Sequence, residues 1–120
     1  MKISDAEVRV MEALWAAQPL GSGEVVEAVS AHEDWSPKTI RTLLDRLHRK
    51  GAVRREKAGR QYHYWPCLAR EEWLRQQTGE LIGKHCDGRL APLVSAFASN
   101  ESISEQDRRE ILALLEEMDS

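Results

Sequence analysis

The chain has 120 residues, of which 42% are hydrophobic and 31% are charged, a composition typical of one globular protein. No apolar run approaches the ~20 residues that span a bilayer, and the N-terminus lacks the apolar core of a signal peptide, so a cytoplasmic protein is expected. The net charge is −3, but residues 36–60 carry nine Lys and Arg against two Asp and Glu, a local charge of +7. A basic segment in an acidic chain indicates a site for a polyanion.

The N-terminal half predicts three helices. Ser4 and Glu7 form the S-x-x-E capping-box pattern at the start of the first helix. A short second helix follows, for which Ser22 is the predicted N-cap. The third begins after Ser36, with proline in its first turn, and ends at Gly51, where a left-handed residue is favoured.

A β-hairpin is predicted directly after the third helix. Val53 begins its first strand, the letters "KAGR" form a basic turn, and the second strand alternates up to Pro66. Tyr62, Tyr64 and Trp65 in this strand have two interpretations. They pack the hairpin onto the helical core, or they stack on the bases of a single-stranded nucleic acid.

Residues 69–120 predict three further amphipathic helices, the last capped by Ser104. The predicted fold is therefore mainly α with a small β-hairpin wing. It comprises a winged helix-turn-helix DNA-binding domain over residues 1–68 and a C-terminal helical dimerisation region over residues 69–120. In a winged helix, the helix before the wing enters the major groove of DNA.

The third helix carries its basic residues opposite its apolar stripe. Lysine and arginine suit phosphates and guanine edges, and threonine suits thymine methyl groups. A solvated helix face, or a surface that binds an acidic protein, would have a similar composition. The predicted DNA-binding residues are Lys38, Thr39, Arg41, Thr42, Arg46 and Arg49 in the helix, and Arg54, Arg55, Lys57 and Arg60 in the hairpin.

Two acids interrupt the basic segment, Asp45 in the helix and Glu56 in the hairpin. An acid on a recognition helix has three interpretations. It accepts a hydrogen bond from cytosine N4, it holds a neighbouring arginine in place, or it lies away from the DNA.

The C-terminal region contains more apolar side chains than three short helices can bury among themselves. A homodimer interface, in which helices of two chains pack together, would cover them. A helical cap that folds back on the same chain is the alternative. The predicted dimerisation residues are Trp73, Leu74, Leu81, Ile82, Leu90, Leu93, Val94, Phe97, Ile111 and Leu115.

Other chemistries have weak support in the sequence. His63, Cys67, His85 and Cys86 show no regular metal-ligand spacing, so no metal and no cofactor are predicted, and the cysteines are expected to be free thiols. The sequence has no HExxH motif, glycine-rich phosphate loop or G-x-S-x-G motif. An enzyme is therefore not expected.

Four segments together resemble a known family: "ISDAEVRVMEALW", "WSPKTIRTLLDRLHRKG", "GRQYHYWP" and "DGRLAPLVSAF". They are similar to the penicillinase-repressor family, which comprises the BlaI/MecI repressors and their copper-responsive CopY relatives. The resemblance implies a dimeric winged-helix repressor on an inverted-repeat operator. It also implies that Lys38, Thr39, Thr42 and Arg46 lie in the recognition helix and Arg60 in the wing.

The resemblance leaves the inducing signal open. In the penicillinase branch, a membrane sensor of β-lactams leads to proteolysis of the repressor at an Asn-Phe bond, and the matching bond here is Ala96-Phe97. The copper branch carries a CxC…CxC metal site, whereas this chain has only Cys67 and Cys86. The alternatives are that the repressor is released by β-lactam-linked proteolysis, by a metal or by another inducer.

Overall fold

The computed structural model describes residues 1–100 and 102–119. Over these residues the elements follow the order α1 (Asp5–Ala16), β1 (Leu20–Gly21), α2 (Ser22–Ser30), α3 (Pro37–Lys50), β2 (Val53–Ala58), β3 (Gln61–Pro66), α4 (Arg70–His85), α5 (Ala91–Asn100) and α6 (Glu105–Met118). The chain divides into two compact units, Met1–Leu74 and Arg75–Ser120. The predicted domain boundary near residue 68 precedes this division, which lies within α4.

The start of α1 is the capping box that the sequence predicts. Ser4 Oγ accepts a hydrogen bond from the backbone N–H of Glu7 at 3.2 Å, and the Glu7 carboxylate accepts one from the Ser4 N–H at 2.9 Å. Glu7 Oε1 also accepts a hydrogen bond from Lys50 Nζ at 2.6 Å. Because Lys50 is the last residue of α3, this pair joins the start of one helix to the end of another.

The start of α2 differs from the prediction. Gly21, not Ser22, is the N-cap, and its backbone N–H donates to Glu24 Oε1 at 2.9 Å. Ser22 is instead the first helical residue. The extended backbone of β1 ends at Gly21, so the helix begins one residue earlier than the composition suggested.

A three-stranded antiparallel sheet with the order β1-β3-β2 replaces the predicted two-stranded hairpin. The hairpin runs from the pair Val53–Pro66 to the pair Ala58–Gln61. Its turn has Gly59 at φ 67°, the position at which a type II′ turn requires glycine. The additional strand β1 pairs only two residues with β3, which is too short to produce a period in the sequence.

The recognition-helix candidate α3 has the predicted boundaries. Ser36 is its N-cap and accepts a hydrogen bond from the Thr39 N–H, and a proline occupies the first turn. Gly51 ends it with φ 82°, a left-handed conformation that glycine adopts without strain. The boundaries follow from these local signals.

The core of the first unit lies where the three helices meet the sheet. Tyr64 of β3 belongs to it, and Tyr62 packs against it. Trp15 and Trp73 also pack against this core, with ring centroids 5.6 Å apart. The buried members are Ile3, Val8, Val10, Met11, Leu14, Val25, Val29, Ile40, Leu43, Leu44, Leu47, Ala52, Val53, Tyr64 and Leu68. Tyr62 and Tyr64 thus secure the wing to the helices, as the packing interpretation predicted. Trp65, the third aromatic residue of that prediction, is not part of this core and instead contacts Arg54.

The second unit has a different character. None of the described residues of α5 and α6, nor any of α4, is buried. α6 begins at the predicted N-cap, because the Asp107 N–H donates to Ser104 Oγ at 3.0 Å. Across residues 1–100 and 102–119, no helix combines the length and the apolar character needed to cross a membrane. The prediction of a mainly α fold with a winged helix is confirmed, with one strand added.

Candidate nucleic-acid interface

α3 separates its side chains into a buried face and an exposed face. Its buried residues are Ile40, Leu43, Leu44 and Leu47. All six predicted DNA-binding residues of α3 are exposed. The apolar stripe thus fixes the rotation of the helix and directs the basic residues outward, as the position of these residues opposite the stripe predicted.

The two threonines on this face are partly occupied within the helix. Thr39 Oγ1 lies 3.0 Å from Ser36 Oγ. Thr42 Oγ1 donates to the carbonyl oxygen of Lys38 at 2.9 Å. Because the hydroxyl proton of Thr42 is used, this side chain presents its methyl group and an acceptor lone pair to a ligand. These groups match a thymine methyl and a base amino group, respectively.

Two of the predicted wing arginines are held by other side chains. Arg54 contacts Glu56 Oε1 at 3.1 Å, and its guanidinium lies 4.1 Å from the centroid of the Trp65 ring. Arg55 contacts Asp45 Oδ1 at 3.3 Å. These two arginines therefore have structural roles within the chain in addition to their charge.

The structure supports one of the three interpretations of Asp45. Its carboxylate pairs with Arg55, so it holds a neighbouring arginine, which was one of the three alternatives. The partner is on the wing, ten residues along the chain and outside the reach of helical periodicity. No pattern in the sequence identifies this contact, and sequence reasoning did not include Asp45 in the site.

The remaining predicted cations of the site form no ion pair or side-chain hydrogen bond with the described part of the chain. They are exposed and so remain available to phosphates or base edges. They are Lys38, Arg41, Arg46 and Arg49 on α3, Lys57 on β2 and Arg60 at the turn. The exposed parts of α3 and the hairpin thus carry six positive charges with no ion-pair partner among the described residues.

The candidate metal ligands are dispersed along the chain. His63 lies on β3 and Cys67 follows that strand, while His85 ends α4 and Cys86 follows it. Both thiols are free. Within residues 1–100 and 102–119, no three or more His, Cys, Asp or Glu side chains are grouped closely enough to hold a metal ion.

The predicted dimerisation residues fall into two groups. Trp73 is partly buried against the core of the first unit. The other residues follow it in α4, α5 and α6, except Leu90, which lies in the connection just before α5, and Phe97 is 52% exposed. The large apolar side chains exposed on these helices and this connection are Leu74, Leu81, Leu90, Val94, Phe97, Ile111, Leu112, Leu114, Leu115 and Met118. Seven of the predicted residues are among them: Leu74, Leu81, Leu90, Val94, Phe97, Ile111 and Leu115.

Comparisons with known proteins agree with this geometry. A family model described as penicillinase repressor matches residues 3–117. The chain is 34% identical over 116 residues to the penicillinase repressor of Bacillus licheniformis, over 97% of this chain and 91% of that protein. It is 31% identical over 114 residues to the methicillin resistance regulatory protein MecI of Staphylococcus aureus strain N315, over 95% of this chain and 93% of that protein.

A solved structure extends the likeness to three dimensions. The solution structure of the Bacillus licheniformis BlaI monomeric form in complex with the blaP half-operator has a TM-score of 0.53 and 40% identity. The match covers 60% of this chain and 88% of that chain. The family expected from the four sequence segments is confirmed. The chain belongs to the penicillinase repressor family of DNA-binding transcriptional repressors.

Proposed function

We propose that this chain represses transcription by placing α3 in the major groove of an operator while the wing contacts the adjacent backbone. The observation that carries the proposal is the exposed face of α3, whose four cations form no ion pair with the described residues. Lys38, Thr39, Thr42 and Arg46 are the proposed base-reading residues, and Arg60 is the proposed wing contact. The complex of BlaI with a half-operator supports the same use of this fold.

The chain acts as a homodimer whose C-terminal helical region, residues 69–120, supplies the interface. Its support is the set of exposed apolar side chains on α4, α5 and α6, because a monomer gains no free energy from holding so many of them in water. Two-fold symmetry then requires an operator with an inverted repeat. Its half-sites lie about one helical turn of DNA apart, or a multiple of it.

Release from DNA follows an inducing signal that acts on the second unit, in the cytoplasm where the operator lies. The bond between Ala96 and Phe97 lies inside α5, so proteolysis there requires local unwinding of that helix. A β-lactam-activated membrane sensor and its protease are the proposed partners of this step.

Selection from a random pool of DNA duplexes tests the proposed function. The wild-type chain is expected to enrich an inverted repeat within a few rounds, because base-edge contacts from two copies of α3 add to the phosphate contacts. Sequencing of the bound fraction measures this enrichment. A pool that stays random would instead favour the acidic protein surface as the partner of residues 36–60.

A further inference from the structure

We propose that Asp45 is a positioning residue: its carboxylate holds Arg55 of the wing and so fixes the wing relative to the groove-facing side of α3. The inference rests on the proposed function, because this geometry matters when both elements contact one DNA. Asp45 touches no base in this account. It acts by fixing the angle and distance between α3 and the wing, which both contact the DNA.

The first observation is that Asp45 pairs with a residue of the wing and not with a residue of its own helix. Arg41 and Arg49 lie four residues before and after it on α3, the spacing at which ion pairs within a helix form. In the structure the carboxylate instead contacts Arg55 NH1 at 3.3 Å. The pair therefore connects α3 to β2 and leaves both helical arginines free for DNA.

Arg55 is anchored on its other side by the wing aromatics. Its guanidinium lies 4.3 Å from the centroid of the Tyr62 ring, and its cross-strand partner in the sheet is Tyr64, which is 4% exposed. A hydrogen bond to the Tyr64 side chain raises the pKa of Arg55, despite the opposing effect of desolvation. A continuous series of contacts thus runs from the core through Arg55 to Asp45.

The neighbouring arginine provides an internal contrast. Arg54 points to the opposite face of the strand, where it pairs with Glu56 at 3.1 Å and lies over Trp65. All three of these residues belong to the hairpin. Arg54 and Arg55 carry the same charge, but only the contacts of Arg55 include a residue of α3.

If only its charge mattered, removal of Asp45 would strengthen DNA binding, whereas a positioning role predicts weaker binding to the operator. Its side chain is 55% exposed on the side of α3 that carries the free cations, so its negative charge repels phosphate. If repulsion were its whole effect, removal of the charge would tighten binding to every DNA. If Asp45 positions the wing, removal weakens binding to the operator and leaves binding to random DNA equal or tighter.

The test measures the affinity of full-length chains for two duplexes of equal length by fluorescence anisotropy. One is the duplex that the wild-type chain selects from a random pool, and the other has a random sequence. Asp45→Asn is expected to bind the selected duplex about three- to fivefold more weakly, with no loss on the random duplex. Asp45→Glu keeps the charge and is expected to retain at least half of the wild-type affinity.

A double-mutant cycle tests whether the effect of Asp45 on DNA binding depends on Arg55. Asp45→Asn and Arg55→Gln are expected to be coupled, so the double variant binds about threefold more tightly than independent losses predict. Asp45→Asn combined with Arg54→Gln is the matched control and is expected to show independent losses. Equal coupling in both cycles would contradict a specific bridge.

The possible failures point to different conclusions. If the wild-type chain binds both duplexes equally, the proposed function is wrong and the inference fails with it. If the wild type prefers the selected duplex but Asp45→Asn binds both duplexes more tightly, only the positioning role is overturned. A changed base preference in Asp45→Asn, without coupling to Arg55, would show that Asp45 reads a base directly.

Discussion

Individual side chains in the basic segment have distinct roles. Arg54 and Arg55 are held by an acid and an aromatic ring each, whereas Arg46 is exposed and has no ion-pair partner in the described part of the chain. A free arginine can form two parallel hydrogen bonds to a guanine edge or to a phosphate. The charge of +7 in the sequence therefore overstates the number of cations that are free to bind a ligand.

Replacement of Arg46 by alanine tests the role of one free cation. The variant Arg46→Ala is expected to lose roughly 1–3 kcal/mol of binding free energy on the selected duplex and much less on random DNA. Arg109→Ala removes an exposed arginine from α6 and is expected to leave both affinities unchanged. An equal loss on both duplexes would assign Arg46 to the phosphate backbone.

At the level of elements, local signals predicted most of the first unit. The capping box at Ser4, the Ser36 N-cap and the glycine at position 51 all lie where the sequence indicated. Strand β1 was not predicted, because it pairs with a distant part of the chain. The sequence offered an arginine held by Asp45 as one alternative, but it did not identify Arg55, because that partner lies on another element. Helix caps are local in sequence, whereas sheet pairing and ion pairs between elements are not.

The ion pair of Glu7 and Lys50 connects α1 to α3. Burial by itself would raise the pKa of Glu7, but hydrogen bonds from Lys50 and Ser4 outweigh this effect and lower it below its ordinary value of 4.5. A lowered pKa means that the folded state binds the proton less tightly than the unfolded state. The contribution to stability is therefore complete above about pH 4.5 and is lost as the pH falls further.

The variant Glu7→Gln tests this pair. It is expected to lower the free energy of unfolding by about 1–3 kcal/mol at pH 7, since it removes a charged partner from Lys50. The difference from wild type should shrink below pH 4.5, as measured by urea denaturation at several pH values. Glu12→Gln, an exposed change on the same helix, is expected to alter stability by less than about 0.5 kcal/mol. A pH-independent difference for Glu7→Gln would contradict the ionised pair.

For the whole molecule, the two units present surfaces of different character. The first has a buried core and exposed cations on α3 and the wing, and the second exposes apolar side chains on its helices. Amphipathic periodicity predicted helices in the second unit, but it does not specify which surface covers them. The homodimer and the folded-back cap therefore stay as alternatives at the level of the sequence, because amphipathic periodicity is the same in both.

Sedimentation tests the dimer. The wild-type chain is expected to have twice the monomer mass at micromolar concentration. Leu115→Glu should shift the equilibrium toward monomer, because it places a charge in the apolar interface. Gln106→Glu adds the same charge to an exposed polar position of α6 and is expected to leave the mass unchanged. A wild-type mass of one chain at every concentration would overturn the dimer.

The salt dependence of binding tests the central claim, that the free cations of α3 and the wing bind duplex DNA. The affinity for the selected duplex is measured by fluorescence anisotropy between about 50 and 200 mM salt. Release of counterions from at least about six phosphates by the two bound chains predicts a loss of at least about 10³-fold over this range. The double variant Arg41→Gln with Arg49→Gln, which removes two free cations not assigned to base contacts, should reduce the slope by about two for each bound chain. An affinity that does not change with salt would contradict the account.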